Sequence, residues 1–189
     1  MALFEKAYGI TAGHEGGYAH NPADTGGETY SGISRKWNPA WPGWAKVDAV
    51  TQKTRDVKSI DRQLRSDAVL EEVIARFYRQ NYWDTLRLSE VTSQVIAEKL
   101  YDISVNMGVR KAALILQEAL NLTNQNGRAY PDISEDGQVG PTTLRMANNH
   151  PRDWLLLKVV QALQAERYLN IMRANGTQEV FAATWFSRV

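Results

Sequence analysis

Glycine is placed so unevenly that it divides the chain before any motif is read. Eight of the 13 glycines fall at or before Gly43, and the other five are spread over the rest of the 189 residues. Glycine loses more backbone entropy on folding than other residues and punctuates regular structure. The first quarter is therefore predicted to be rich in loops, and the remainder is free to be helical. Leu3, Ala7 and Ile10 recur at helical spacing, which predicts a first helix ending near Glu15, with Gly16 and Gly17 suited to stop it. From Tyr18 to Ile33 the turn signals Asn21-Pro22 and Gly26-Gly27 separate short extended pieces, the pattern of a hairpin or irregular β-unit. Trp37 to Trp44 is an aromatic loop broken by two prolines.

Helical periodicity follows. Asp67–Gln80 presents Leu70, Val73, Ile74 and Phe77 on one face, and Ser93–Met107 presents Ile96, Leu100 and Ile103 before Gly108. Arg110–Asn121 is apolar on one side, and Pro141 fits the first position of a further helix. The longest pattern, Asp153–Asn175, carries Leu156, Val159, Val160, Leu163 and Leu169 and stops at Gly176. A last helix is predicted over Gln178–Ser187.

Composition narrows the function. Lys and Arg total 22 against 21 Asp and Glu, and charges of both signs are intermixed, so a nucleic-acid partner held by counterion release is not expected. Cysteine is absent and histidine occurs only at 14, 20 and 150. Thiolate metal sites and cysteine nucleophiles are excluded. His14 and His20 are six residues apart, off the spacing that pairs two ligands on a helix face, so no metal and no other cofactor is expected. Glu5 and Lys6 stand where the apolar core of a secretory signal would lie, and Trp154–Val160 is too short for a bilayer. The expectation is synthesis in the cytoplasm without a standard signal peptide and no stable membrane insertion.

The segment His14–Ile33 carries the chemistry. Glu15 sits at a predicted helix C-terminus, where the helix dipole and partial burial both disfavour its ionised form and raise its pKa, as a general acid needs. Asp24, nine residues on among turn amides, stays ionised. Carboxylates pushed apart in this way suit a glycosidase acid and base. The Thr29 hydroxyl can donate and accept at once, so it can hold a water beside Asp24. Spacing alone also fits a turn cap for Asp24 and a cross-hairpin pair for Thr29.

The residues Glu15-Gly-Gly-Tyr18, then Asp24-Thr-Gly-Gly-Glu-Thr29 and Gly32-Ile33, resemble the signature of glycoside hydrolase family 108. Its members are N-acetylmuramidases of phages, prophages and bacteria that cleave peptidoglycan. The order of Glu15, Asp24 and Thr29 is also similar to the triad of phage-type lysozymes, where the Thr lies one residue further on. Tyr82-Trp83-Asp84 extends the resemblance. Further on, Val105-Asn-Met-Gly108, Leu116-Gln117, Leu120 and Asp136-Gly137-Gln-Val139-Gly140-Pro-Thr142-Thr143 resemble the peptidoglycan-binding-like segment that follows the catalytic part in this family. Physically, Asp-Gly marks a turn and Pro opens a helix, so these residues also fit plain helical core around one turn.

The resemblance implies a mainly α, lysozyme-like α+β fold, with a small glycine-rich lobe carrying a short hairpin packed on a larger helical lobe. It implies a catalytic part over 1–90 and a helical peptidoglycan-binding-like part over 91–189, expected as one compact globule with the cleft between lobes. It maps Glu15 to the acid and Asp24 with Thr29 to the partners that place the attacking water. Peptidoglycan glycan strands become the expected partner, met in the periplasm or cell wall, as for an endolysin. Tyr18, Tyr30, Trp41, Trp44 and Tyr101 are candidates to stack on sugar rings or to pack in the core. Asn106 is a candidate for an N-acetyl group or for a helix cap. A lytic transglycosylase, a chitinase-type enzyme and a non-catalytic wall-binding or secretion-accessory protein remain open on the same residues. Oligomeric state is not legible. If Glu15 is the acid, Glu15→Gln is expected to abolish turnover while sacculus binding and the melting temperature stay near wild type. Near-normal lysis by the folded variant would overturn the assignment.

Overall fold

The computed structural model describes residues 1–11, 16–20 and 27–189. Glu15, Asp24 and the expected end of the first helix lie outside the described residues. Helix α1 is Phe4–Thr11, with Phe4 and Ala7 buried. The chain groups into two compact units, Tyr8–Gln80, and Met1–Ala7 with Asn81–Val189.

In the unit Tyr8–Gln80, strands β1 (Ala19–His20), β2 (Glu28–Tyr30) and β3 (Ile33–Ser34) form an antiparallel sheet in that order. Thr29 stands opposite Ala19 on one side and Ser34 on the other, and Tyr30 stands opposite Ile33. The expected hairpin is thus present. Its β2–β3 connection is Ser31-Gly32, with φ of +48° and +73°. Positive φ at both residues is what a two-residue I′ turn demands. The Tyr78 hydroxyl donates to the Ser31 carbonyl at 2.9 Å and ties this turn to the helical layer. That layer is α2 (Trp44–Thr51), α3 (Val57–Arg65) and α4 (Ala68–Tyr78). Asp56 caps α3 by accepting from Ser59 N–H at 2.9 Å, and Asp67 caps α4 by accepting from Leu70 N–H at 3.1 Å. Trp44, Val47, Ile60, Leu64, Leu70, Ile74 and Tyr78 are buried side chains of these helices.

The second unit is helical. It contains α5 (Gln94–Met107), α6 (Val109–Leu122), α7 (Pro141–Asn148) and α8 (Asp153–Ala174). A 3₁₀ turn at Gly176–Phe181 then leads into α9 (Ala182–Phe186). Trp83 is fully buried, packs edge-on to Phe4 and Tyr101, and donates from its indole N–H to Ser89 Oγ at 2.7 Å. Pro141 opens α7 as expected. His150 is buried, accepts from Arg152 N–H at Nδ1, and lies 2.9 Å from the Thr123 hydroxyl at Nε2. Burial lowers its pKa, so it stays neutral as a structural link.

Helix α8 departs from its predicted face. Its buried residues are Leu156, Val160, Gln164 and Tyr168, each four apart, whereas Leu169 is exposed. Polar Gln164 and Tyr168 are buried because they satisfy one another. Gln164 Nε2 donates to the Tyr168 hydroxyl at 3.2 Å, and that hydroxyl donates to Asn106 Oδ1 at 2.8 Å. Hydrophobicity alone cannot find such a face.

Gly108 joins α5 to α6 with φ +89° and ψ 150°, a backbone region nearly confined to glycine. A Cβ there would meet no neighbouring atom, so the penalty of substitution is conformational. Gly108→Ala is expected to lower unfolding free energy by about 1–3 kcal/mol in denaturant titration. An unchanged midpoint would contradict that conformational assignment.

Candidate active site

The backbone that follows Glu15 is held from α3. Tyr18 N–H donates to Asp61 Oδ1 at 2.6 Å, a hydrogen bond strengthened by the charge on the acceptor. This contact requires Gly17, since a Cβ at that position would overlap the Asp61 carboxylate. Asp61 is itself 3.6 Å from Arg65, one turn further along α3. At its other end Tyr18 donates from the hydroxyl to Glu28 Oε1 at 2.9 Å. Burial first, and then the bonded Glu28, push the Tyr18 pKa up to about 12, so its phenol remains a proton donor near neutrality.

Glu28 also pairs with Arg35 Nε at 2.5 Å, and Arg35 continues to Asp48 of α2 through Nη2 at 2.5 Å. The Arg35 guanidinium lies 4.3 Å from the centroid of the Trp44 ring. One cation thus joins β2, the segment after β3, and α2. Thr29 is half-buried at the middle of the sheet, between Ala19 and Ser34. Strand alternation sends its side chain to the face opposite Glu28 and Tyr30. Tyr30 is buried, and burial followed by the charge of Asp61 pushes its pKa up to about 12.

Two concavities on this unit are lined by described residues. The first, of about 230 Å³, is walled by Gly16 and Gly17, which directly follow Glu15 in the chain, with Tyr8, Tyr30, Arg65 and Glu71 around it. The Tyr8 hydroxyl donates to Glu71 Oε1 at 2.8 Å. The second, of about 340 Å³, is an aromatic groove formed by Trp37, Pro39, Trp41, Pro42 and Phe77, with Arg76 at its edge. Trp37 is 72% exposed, whereas Trp41 is 6% and Trp44 is 4% exposed. Trp44 donates from Nε1 to the Asn38 carbonyl at 2.7 Å and meets Trp41 edge-on at 5.0 Å. Trp41 Nε1 is buried without an acceptor among the described residues. A Cβ on Gly43 would overlap the Trp41 ring, so that glycine is what lets the loop close on it.

The candidate residues therefore separate. Tyr18, Thr29, Tyr30, Trp41 and Trp44 all belong to the unit Tyr8–Gln80. Tyr101 and Asn106 belong to the other unit. Tyr101 is fully buried beside Phe4 and Trp83. Asn106 is exposed and borders a pocket of about 270 Å³ with Lys111, Arg167, Tyr168 and Trp185. Asp61 and Arg35 were invisible to motif reading. Arg35 lies just beyond the glycine-rich signature, and Asp61 sits in a charged helix whose pattern shows only that Ile60 and Leu64 face inward. Among the described residues no cluster of three His, Asp or Glu is arranged to hold a metal.

Comparison with known proteins matches residues 8–108 to the model of a family described as Glycosyl hydrolase 108. Residues 111–189 match the model of a family described as Predicted Peptidoglycan domain. Among solved structures, SagA of Brucella abortus is similar, with 20% identity, 98% of this chain and 88% of that chain covered, and a TM-score of 0.58. At that identity the likeness concerns the fold, and the fold class is the mainly α, lysozyme-like one expected. No curated protein matches the chain.

The Gly17–Asp61 contact predicts a graded series. Asp61→Asn keeps an acceptor for Tyr18 N–H and is expected to retain most turnover of peptidoglycan. Asp61→Ala and Gly17→Ala are expected to lower kcat by about tenfold or more, in line with the effect of sub-ångström to ångström misplacement. Equal activity of Asp61→Asn and Asp61→Ala would show that the acceptor does not matter.

Proposed function

The chain belongs to the glycosyl hydrolase 108 family, and from that premise we propose that it is an N-acetylmuramidase of the bacterial cell wall. The observation that carries this reading is the match over residues 8–108, which takes in Glu15, Asp24 and Thr29 together. The match of residues 111–189 to a peptidoglycan domain gives the same polymer from a separate part of the chain. The coarser statement, a glycoside hydrolase joined to a peptidoglycan-binding-like part, follows from both matches.

In the proposed reaction Glu15 protonates the oxygen leaving N-acetylmuramic acid at its β-1,4 bond to N-acetylglucosamine. Asp24 takes a proton from a water that Thr29 orients, and that water attacks the anomeric carbon from the opposite face. A single displacement inverts the centre. Inverting carboxylates stand about 6.5–9.5 Å apart, and retaining ones about 5–5.5 Å apart. The hydroxyl of Thr29 supports the first arrangement, because a covalent nucleophile needs no second group to hold the attacking water. The half-buried place of Thr29 at the sheet centre suits a hydroxyl that must keep a fixed direction. Glycan is proposed to run along the aromatic groove, with Trp37 offering an exposed ring. No cofactor enters the scheme. Action in the periplasm or wall is part of the same reading. No helix among the described residues is long and apolar enough to cross a membrane.

Digestion of purified sacculi tests the proposal. Mass spectrometry is expected to find reducing disaccharide muropeptides, and NMR of the first product is expected to show the α-anomer. Asp24→Asn and Thr29→Val should slow hydrolysis without trapping a sugar on the protein. Anhydromuramyl products would replace hydrolysis by lytic transglycosylation. An initial β-anomer or a glycosyl adduct on Asp24 would replace inversion by retention.

A further inference from the structure

A pocket of about 480 Å³ lies wholly within residues 117–146, between α6, the loop that follows it and the first turns of α7. Its floor is Gln117, which is 1% exposed. The Gln117 amide donates to Asp136 Oδ1 at 2.8 Å and to the Gln138 carbonyl at 3.0 Å, and its Oε1 accepts from Gly137 N–H at 2.9 Å. The side chain is spent on holding the loop, so the pocket wall is preformed. A second carboxylate on the rim, Asp132, is held in the same way, by Asn124 Nδ2 at 2.6 Å. Asn124 is itself buried and accepts from Gly127 N–H at 3.0 Å.

Both carboxylates are thus aimed by neutral buried amides rather than by cations. Neither makes an ion pair with a described residue. The bonds from Gln117 and Gln138 N–H hold Asp136 below the usual carboxylate range, so it is ionised near neutrality, and Arg110 adds to this from beyond ion-pair distance. Across the pocket, Arg145 of α7 is exposed and makes no ion pair among the described residues. No side chain caps the N-terminus of α7 beside it. Ile133, Pro141 and Met146 supply apolar surface, and the lining contains no aromatic ring.

From this arrangement we propose that the pocket binds the diamino-acid residue of a peptidoglycan stem peptide, with Asp132 and Asp136 receiving its side-chain ammonium and Arg145 a carboxylate. The proposal rests on the reading above for the identity of the polymer. The chemistry then selects the part. Glycan strands of N-acetylated hexosamines carry no ammonium, whereas a stem peptide carries an ammonium and carboxylates on one residue. A sugar site also favours flat aromatic rings, which this pocket lacks. Charge-assisted hydrogen bonds to fixed carboxylates recognise an ammonium with direction as well as charge. Pockets of this size take small ligands with a few placed polar groups over apolar surface.

The test titrates the full chain with the synthetic tripeptide L-alanyl-γ-D-glutamyl-diaminopimelate, followed by NMR shifts and calorimetry. Binding is expected with shifts at Gln117, Gly137 and α7. Acetylating the side-chain amine of the peptide is expected to weaken binding at least about tenfold, the loss of one charge-assisted bond. Asp136→Asn keeps an acceptor for Gln117, and Arg145→Gln changes only an exposed side chain. Both variants are expected to fold and to bind at least about tenfold more weakly, with Arg145→Lys partly restoring affinity. Absence of binding at millimolar peptide, equal binding of the acetylated peptide, or equal shifts from peptide-free chitooligosaccharide would overturn the proposal. Muropeptide analysis of the same preparation reads the glycosidase separately. Cleavage without peptide binding removes only this inference, and peptide binding without cleavage removes only the hydrolase reading.

Discussion

A single carboxylate reaching a single backbone N–H organises the unit that carries the glycine-rich signature. Asp61 projects from α3 to Tyr18 N–H at 2.6 Å, and only a residue without a Cβ can occupy position 17 while it does so. The signature's second glycine is therefore steric, and its reason lies more than 40 residues away in the chain. Tyr18 is then fastened at both ends, by its amide to Asp61 and by its phenol to Glu28. Glu28 neighbours Thr29 on β2, so the clamp on Tyr18 also sets the strand that presents the hydroxyl.

The same network sorts the acidic residues. Between Gly16 and Arg35 the sequence holds two, Asp24 and Glu28. Glu28 accepts from Tyr18 and pairs with Arg35, whose guanidinium is shared with Asp48 and lies against Trp44. Such a carboxylate is committed to structure, because turning it away would leave the Tyr18 phenol without its acceptor and Arg35 with Asp48 alone. Under the proposed mechanism the water-activating role then falls to Asp24 by chemistry as well as by motif. The planar, delocalised guanidinium is what permits the arrangement, since a lysine could not serve two carboxylates and an aromatic face at once.

How much of this is legible in the sequence depends on the range of the interaction. The hairpin follows from the local turn signals between Tyr18 and Ile33, whereas the tight Ser31-Gly32 turn, with positive φ at both positions, is a finding of the structure. Helices α5, α6 and α7 follow from apolar spacing with Gly108 and Pro141 as punctuation. Apolar spacing singles out neither α2 nor α3, because both are short and α3 buries only Ile60 and Leu64 in a charged helix. The α8 face is missed for a different reason. Gln164 and Tyr168 are buried by virtue of partners on one another and on α5, and no index of side-chain hydrophobicity contains a partner. Among the loop tryptophans, Trp41 and Trp44 are the sequence candidates to stack on sugar and Trp37 is left out, because side-chain type says nothing of burial. The structure separates the three by burial, leaving Trp37 exposed.

The aromatic groove and the pocket over Gln117 differ in kind, and the difference follows from how each is built. The groove at Trp37 and Trp41 is a proline-rich loop packed on α4 through ring edges, with Phe77 meeting Trp41 at 6.4 Å. Such a surface has flat faces and few charges, which suits neutral ring-shaped ligands. The pocket over Gln117 is built from amides that aim carboxylates, and its apolar parts are small. Fixed charges in a preformed wall discriminate by ammonium and carboxylate position rather than by shape. Peptidoglycan is itself a polymer of two chemistries, uncharged N-acetylated sugars along the strand and charged amino acids in the stems. A protein whose one unit offers aromatic faces and whose other offers placed charges has a means of reading each chemistry by the physics suited to it. Under the two proposals, affinity for the stem needs no contribution from the residues assigned to glycosidic cleavage, so binding and turnover can be altered independently by substitution.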